Sequence, residues 1–149
     1  GYIEGCAVLD LYAGSAALGL EAKSRGARSV VSVEASRQAA GVARANAKAT
    51  GLEIDVVPMK AETYLATEPA ERFDLAFLDP PYDIGEGALA LVLELLVPHL
   101  AADAMVVVER SKHSPEPAWP EGLELDDDRT WGDTRVWSAV MAGEGRLEP

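Results

Sequence analysis

The feature that most limits the fold of this chain is a regular alternation of short apolar runs with helical stretches. Ala7-Val8-Leu9-Asp10-Leu11 reads as a buried strand, and a helix is expected from about Ser15 to Arg25, with Ser15 as N-cap and Gly26 as its stop. Ser29 to Val33 forms a second strand, followed by a helix capped by Ser36 that runs to Thr50 and ends at Gly51. Ile54 to Val57, Phe73 to Leu78 and Met105 to Glu109 supply three more strands, with helices around 62–67 and 87–96 between them. Two β-like runs, Leu123 to Arg129 and Thr134 to Met141, then flank Thr130-Trp131-Gly132-Asp133 as a hairpin. Repeated strand–helix units closed by an antiparallel hairpin specify an open α/β sheet with helices on both faces. In such sheets ligands bind beyond the carboxyl ends of the strands, so the residues just after strands one, two and four carry the functional argument.

At 149 residues the chain accommodates one compact domain, residues 1–149. A single cysteine, Cys6, excludes an intramolecular disulfide, and with two histidines, His99 and His113, no metal site is expected. His99, after Pro98, reads as a loop residue. The longest apolar run, Ala88 to Val97, contains Glu94 and is too short to span a bilayer, so no membrane partner is expected.

The loop after strand one is Asp10-Leu11-Tyr12-Ala13-Gly14-Ser15-Ala16-Ala17-Leu18-Gly19. Gly14 suits a tight turn and Gly19 a close approach of helix to sheet. Ala16 stands where a dinucleotide fingerprint has glycine, and its methyl group is expected to restrict approach of a ligand to the backbone. Asp10 ends strand one with a carboxylate, which repels a pyrophosphate and attracts a cation. Glu34 ends strand two, where it can accept from both hydroxyls of a ribose, or simply face water at a helix N-terminus. A glycine turn between two acids suits a nucleoside with a positive centre and no phosphates, such as S-adenosylmethionine.

Strand four stops at Asp79-Pro80-Pro81-Tyr82. Two prolines fix the backbone there, so the Asp79 side chain and the Pro80 carbonyl can serve as two acceptors beside the aromatic face of Tyr82. An aromatic amino group held at such a turn donates both hydrogens, and its lone pair is aimed at an electrophilic methyl group. The structural alternative is a rigid turn with Tyr82 packed at the edge of the core.

Taken together, Asp10 to Glu21, Glu34 and Asp79-Pro80-Pro81-Tyr82 resemble the class I S-adenosylmethionine-dependent methyltransferases. Within them the chain resembles the RsmD-type enzymes, which methylate N2 of a guanine in 16S rRNA. Arg25-Gly26-Ala27, Val108-Glu109-Arg110 and Gly132-Asp133-Thr134 extend the likeness over nearly the whole chain. The resemblance implies a Rossmann-like, mostly parallel seven-stranded sheet of order 3-2-1-4-5-7-6 with strand seven antiparallel. It implies that Asp10 and the loop residues Tyr12, Ala13, Gly14, Ser15 and Ala16 hold the methionine part of S-adenosylmethionine. Glu34 with Ala35 then holds the ribose, and Ala61 and Glu62, beside Lys60, lie against adenine. Asp79, Pro80, Pro81 and Tyr82 are the implied catalytic residues. The implied partner is 16S rRNA or an assembling small ribosomal subunit in the cytoplasm, met by a monomer. Family members carry a basic segment ahead of the first motif, and its absence here leads to the expectation that this chain lacks it.

Charge bears on the substrate. Twenty-five acids against thirteen Lys and Arg give a formal charge of −12, which opposes binding of nucleic acid over a broad face. Basic residues are missing between Arg72 and Arg110, and Arg110, Lys112 and His113 then cluster past strand five. Arg110 and Lys112 are therefore expected to contact substrate phosphate, with the acids of the C-terminal hairpin lying away from that edge. Trp131 at the hairpin tip offers a further stacking face or packs on the sheet. Competing readings are amino methylation of adenine or cytosine in DNA, methylation of a protein glutamine, a non-catalytic S-adenosylmethionine-binding assembly module, and a nicotinamide-dependent oxidoreductase. Asp79 departs from the Asn of the glutamine methylases, and no catalytic His or Tyr–Lys arrangement supports an oxidoreductase.

Overall fold

A computed structural model describes residues 3–142. The outermost residues of the 1–149 span, 1–2 and 143–149, lie outside that range. Seven strands form one sheet in the order β3-β2-β1-β4-β5-β7-β6. In chain order, β1 (Ala7–Leu11), β2 (Ser29–Val33), β3 (Asp55–Val57), β4 (Phe73–Leu78) and β5 (Leu100–Ser111) pair in parallel. β6 (Leu123–Trp131) and β7 (Thr134–Met141) close the sheet antiparallel, β7 lying against β5. This is the class I methyltransferase sheet that the resemblance implied.

Four helices connect the parallel strands: α1 (Ala17–Ser24), α2 (Arg37–Thr50), α3 (Ala61–Leu65) and α4 (Glu86–Leu96). The buried positions of β1 and β2 alternate between two sides, as a sheet covered on both faces requires. Leu9, Leu11, Val31 and Val33 join Leu78, Val106, Leu89, Val92, Leu93 and Leu96 in the larger core, on the side of α3 and α4. Val8 and Val30 pack with Ala22 and Ala27 on the side of α1, and Val56 packs with Leu20, Ala40 and Ala43. On that second side β4 and β5 lie more open: Leu75, Phe77, Met105 and Val107 line a groove of about 620 Å³, and Met105 is exposed.

Several local expectations change. Ser36 does cap α2, its hydroxyl accepting from Ala39 N–H at 3.1 Å, and Gly51 ends the helix at φ 71°. Ser15, however, does not cap α1; the N-cap is Ala16, in left-handed conformation at φ 67° with no side-chain cap. β5 begins at Leu100 rather than Met105, with Asp103 at φ 65° beside a register shift against β4. The hairpin turn shortens to Gly132-Asp133, with Gly132 at positive φ in the first central position.

His99 is not a loop residue. It ends a 3₁₀ turn (Val97–His99), is buried, and its Nε2 lies 2.9 Å from the Leu65 carbonyl. A carbonyl only accepts, so Nε2 carries the proton and the ring ties α4 to α3.

Candidate active site

The carboxyl ends of β1, β2 and β4 face one cleft in two lobes that share Tyr12 and Asp79. The first lobe, about 370 Å³, is lined by Tyr12, Val33, Glu34, Ala35, Met59, Lys60, Ala61, Glu62, Asp79 and Pro81. The second, about 200 Å³, is lined by Asp10, Tyr12, Ala13, Ser15, Ala17, Leu18, Phe77, Leu78, Asp79, Val107 and Glu109. Parallel pairing explains the convergence. Because β1 lies between β2 and β4, the residues that leave these three strands emerge side by side.

The loop between β1 and α1 is held in an unusual backbone. Tyr12, Gly14 and Ala16 all adopt positive φ, at 63°, 57° and 67°. For Tyr12 and Ala16 such conformations cost on the order of 1–2 kcal/mol each, and they persist only where surrounding contacts enforce them. Glu34 is one enforcing contact. Its Oε1 accepts from Gly14 N–H at 2.7 Å and its Oε2 from Ser36 N–H at 2.8 Å, joining the loops after β1 and β2. Each carboxylate oxygen keeps a second lone-pair direction, so Glu34 fixes the loop and still accepts from a ligand.

Asp10 is 5% exposed, and its Oδ2 is buried with no hydrogen-bond partner. Burial is the main reason its pKa is pushed up to about 7; the charges of Asp79 and Glu34 add to the effect, and a hydrogen bond from the Gly19 backbone opposes it. Asp79 is raised by desolvation. Glu109 is raised by desolvation and then by the charge of Asp79. Tyr12 is pushed up to about 12 by burial and by Glu62, and its buried hydroxyl has no partner. Among the described residues Lys60 is the only basic one along either lobe. Acids gathered on an apolar floor, one of them buried with an oxygen left unpartnered, form a receptor for a cation and repel phosphate.

Most of the residues expected from the sequence gather at this cleft. Asp10, Tyr12, Ala13, Ser15, Glu34, Ala35, Ala61 and Glu62 line the cleft, and Gly14 binds Glu34 at its wall. Ala16 does not line it. Its side chain is fully buried with Leu20, Ala40 and Ala43, so its methyl group points into the helix packing and does not obstruct a ligand. Asp79 and Pro81 line the cleft, Pro80 is buried, and Tyr82 is 92% exposed beside it. The Pro81 carbonyl accepts from Ile84 N–H at 3.0 Å and closes the turn.

The basic rim is corrected. Arg110 is not a surface residue: its side chain is 3% exposed, its Nη2 lies 3.6 Å from Glu86 at the start of α4, and its Nη1 is buried without a partner. Its alternate position on β5 turns it under α4, whereas Glu109 faces the cleft. Lys112 is partly exposed and pairs with Asp133, 3.5 Å away. That contact follows from register, since Ser111 pairs with Thr134. The hairpin tip, with Trp131 and Asp133, thus stands at the same sheet edge as the cleft, and its acids are not all remote from it.

Val33, Met59 and Glu109 were missed by sequence reasoning. Glu109 had a signal, since it ends the run Met105 to Glu109 at the ligand edge.

The family described as Conserved hypothetical protein 95 matches residues 1–140. The chain belongs to this family. It is 31% identical over 137 residues to the ribosomal RNA small subunit methyltransferase D of Haemophilus influenzae, covering 88% of this chain and 69% of that protein. The structure of yhhF from Escherichia coli superposes with a TM-score of 0.87 at 28% identity, over 95% of this chain and 80% of that one. SMU.776, solved in complex with SAH, shares the fold at 15% identity, with a TM-score of 0.81 over 95% of this chain and 46% of that one. By family and fold the chain is a class I methyltransferase.

Proposed function

We propose that this protein binds S-adenosylmethionine in the two-lobed cleft and methylates an exocyclic amino group, guanine N2 of 16S rRNA in the small ribosomal subunit. The observation that carries the reading is the place of Asp79. It belongs to both lobes of a cation-favouring cleft and begins the proline turn beside exposed Tyr82. The similarity to a methyltransferase named for small-subunit rRNA supports the choice of substrate.

The cofactor's chemical contribution is an electrophilic methyl group on a sulfonium centre. Glu34 would hold the ribose hydroxyls, Ala61 and Glu62 with Met59 would flank the adenine, and Asp10 with the Tyr12–Ser15 loop would take the cationic amino-acid end. An ionised Asp10 is poorly solvated, so a bound cation stabilises that form. Asp79 would accept a hydrogen from the amino group together with the Pro80 carbonyl, turning the nitrogen lone pair toward the transferable methyl group. Once the nitrogen has gained its fourth bond, Asp79 is the nearest base for the proton it releases, and its raised pKa suits that task. Tyr82 would stack on the base. A base paired in a duplex cannot enter such a site, so the target must be unpaired or flipped out. The chain would work as a monomer in the cytoplasm, where ribosomal subunits assemble.

The test is transfer of a radiolabelled methyl group to naked rRNA, small subunits, DNA and protein from cells lacking the enzyme, followed by digestion to nucleosides. Label in N2-methylguanosine of the small subunit is expected. Label confined to DNA or protein, or S-adenosylmethionine binding without transfer to any substrate, would overturn the reading.

A further inference from the structure

β4 and β5 run parallel with Leu78 opposite Val108, so Asp79, the first residue past β4, lies beside Glu109, which is still within β5 and paired with Val136 of β7. Both line the second lobe, where the paired side chains Phe77 and Val107 form an apolar floor. Among the described residues no hydrogen bond or ion pair engages the Glu109 carboxylate, and no lysine, arginine or histidine lines the lobe. Two neighbouring carboxylates therefore meet at the place where the amino group is to be held. Each disfavours the charge of the other, and desolvation adds to the cost. Such a pair gains nothing for the free fold. It becomes favourable when a ligand presents hydrogens to both.

The three amino-bearing bases differ at this point. Adenine and cytosine carry, next to the amino group, a ring nitrogen with a lone pair. Guanine carries N1–H on one side of its amino group and the N3 lone pair on the other, so only its N1 side presents two adjacent donors, and a flipped base is read along that side. A carboxylate is acceptor-only when ionised, so a second one beside Asp79 complements guanine and repels the other two. Resting on the guanine-N2 reading above, we infer that Glu109 is a specificity-determining residue, accepting N1–H of the target guanine while Asp79 accepts from its amino group.

The experiment uses 2-aminopurine, which keeps the amino group of guanine but has an unprotonated N1. After the methylated nucleotide has been mapped, small subunits are reconstituted with either guanosine or 2-aminopurine riboside at that position. The wild-type protein is expected to favour guanosine by about 100-fold in kcat/KM, the scale of a charge-assisted hydrogen bond. Glu109→Gln is expected to reduce that preference to within a few-fold, mainly by lowering kcat/KM for guanosine, with S-adenosylmethionine affinity little changed. Glu109→Asp, which keeps the acceptor, should retain most of the preference and serves if the Gln variant does not fold. Equal wild-type rates on the two bases, or an undiminished preference in Glu109→Gln, would overturn the inference. A loss of S-adenosylmethionine affinity beyond tenfold with the base preference intact would overturn it too, placing Glu109 on the cofactor. Label on adenine or cytosine would instead refute the guanine reading itself, an outcome separate from these.

Discussion

At the scale of single residues, Asp10 and Asp79 make the site sensitive to pH. The folded chain releases the Asp10 proton near pH 7, the unfolded chain near 3.9. Between those values the folded protein holds a proton that the unfolded one has lost, so rising pH lowers stability, by on the order of 4 kcal/mol across the window. Asp79 and Glu109 act in the same direction. Urea midpoints of the ligand-free protein should therefore fall from pH 5 to pH 8, and Asp10→Asn should remove most of that slope. Cofactor binding has the opposite dependence, because a cation favours ionised Asp10. Titration calorimetry should show affinity for S-adenosylmethionine weakening about tenfold from pH 7 to pH 5.5, with a proton released on binding at the lower pH. Asp79→Asn should abolish methyl transfer yet retain cofactor binding. It also removes a charge that raises Asp10, so the pH midpoint of binding should move down. Residual transfer above one per cent of wild type would argue against Asp79 as the group that holds the amine.

At the scale of elements, α1 decides whether the first loop is correctly placed. A Cβ built on Gly19 would stand 2.8 Å from Ser32 Oγ and 3.0 Å from Val30 Cγ1. The helix therefore rests directly on β2, and Gly19→Ala should destabilise the fold by about 1–3 kcal/mol. Because α1 carries the loop that Glu34 holds, the same change should weaken S-adenosylmethionine binding; thermal melts and calorimetry on one sample test both effects. Ala16→Gly should leave cofactor affinity within about twofold, since relief of a left-handed alanine is offset by loss of a buried methyl group. Most of this was legible in the sequence. Gly19 announced close packing, Asp10 and Glu34 sat at strand ends, and two prolines marked the end of β4. What escaped was side-chain direction. A glycine pattern places Ala16 against a ligand, but its positive φ turns the methyl into the packing with Leu20, Ala40 and Ala43, as no one-dimensional spacing reveals. Arg110 and Glu109 are adjacent in sequence, and strand alternation sends one under α4 and the other to the cleft. His99 lies buried only because α3 brings the Leu65 carbonyl to it, a contact 34 residues away in the chain.

At the scale of the whole molecule, a formal charge of −12 must be reconciled with the proposed nucleic-acid substrate. On the proposed reading some of the acids serve the cofactor, since Asp10 and Glu34 face a cation-favouring cleft. Lys60 lines the first lobe, but the cations past β5 and on the hairpin are less free than their sequence position suggests. Arg110 is buried against Glu86, Lys112 is engaged by Asp133, and Arg135 pairs with Asp128 while lying 4.1 Å over the Trp137 ring. Few cations are then left to neutralise phosphates, and the salt dependence of nucleic-acid binding counts that number. If the substrate is the proposed one, recognition comes chiefly from the flipped base and its immediate surroundings. Binding of this chain to naked 16S rRNA should accordingly be weak, with a slope of log K against log salt no steeper than about −2. Filter binding between 50 and 300 mM salt measures it, with assembling small subunits as the comparison. Tight binding to naked RNA with a slope near −6 would require a basic surface that the described residues do not present, and would refute this account of the charge.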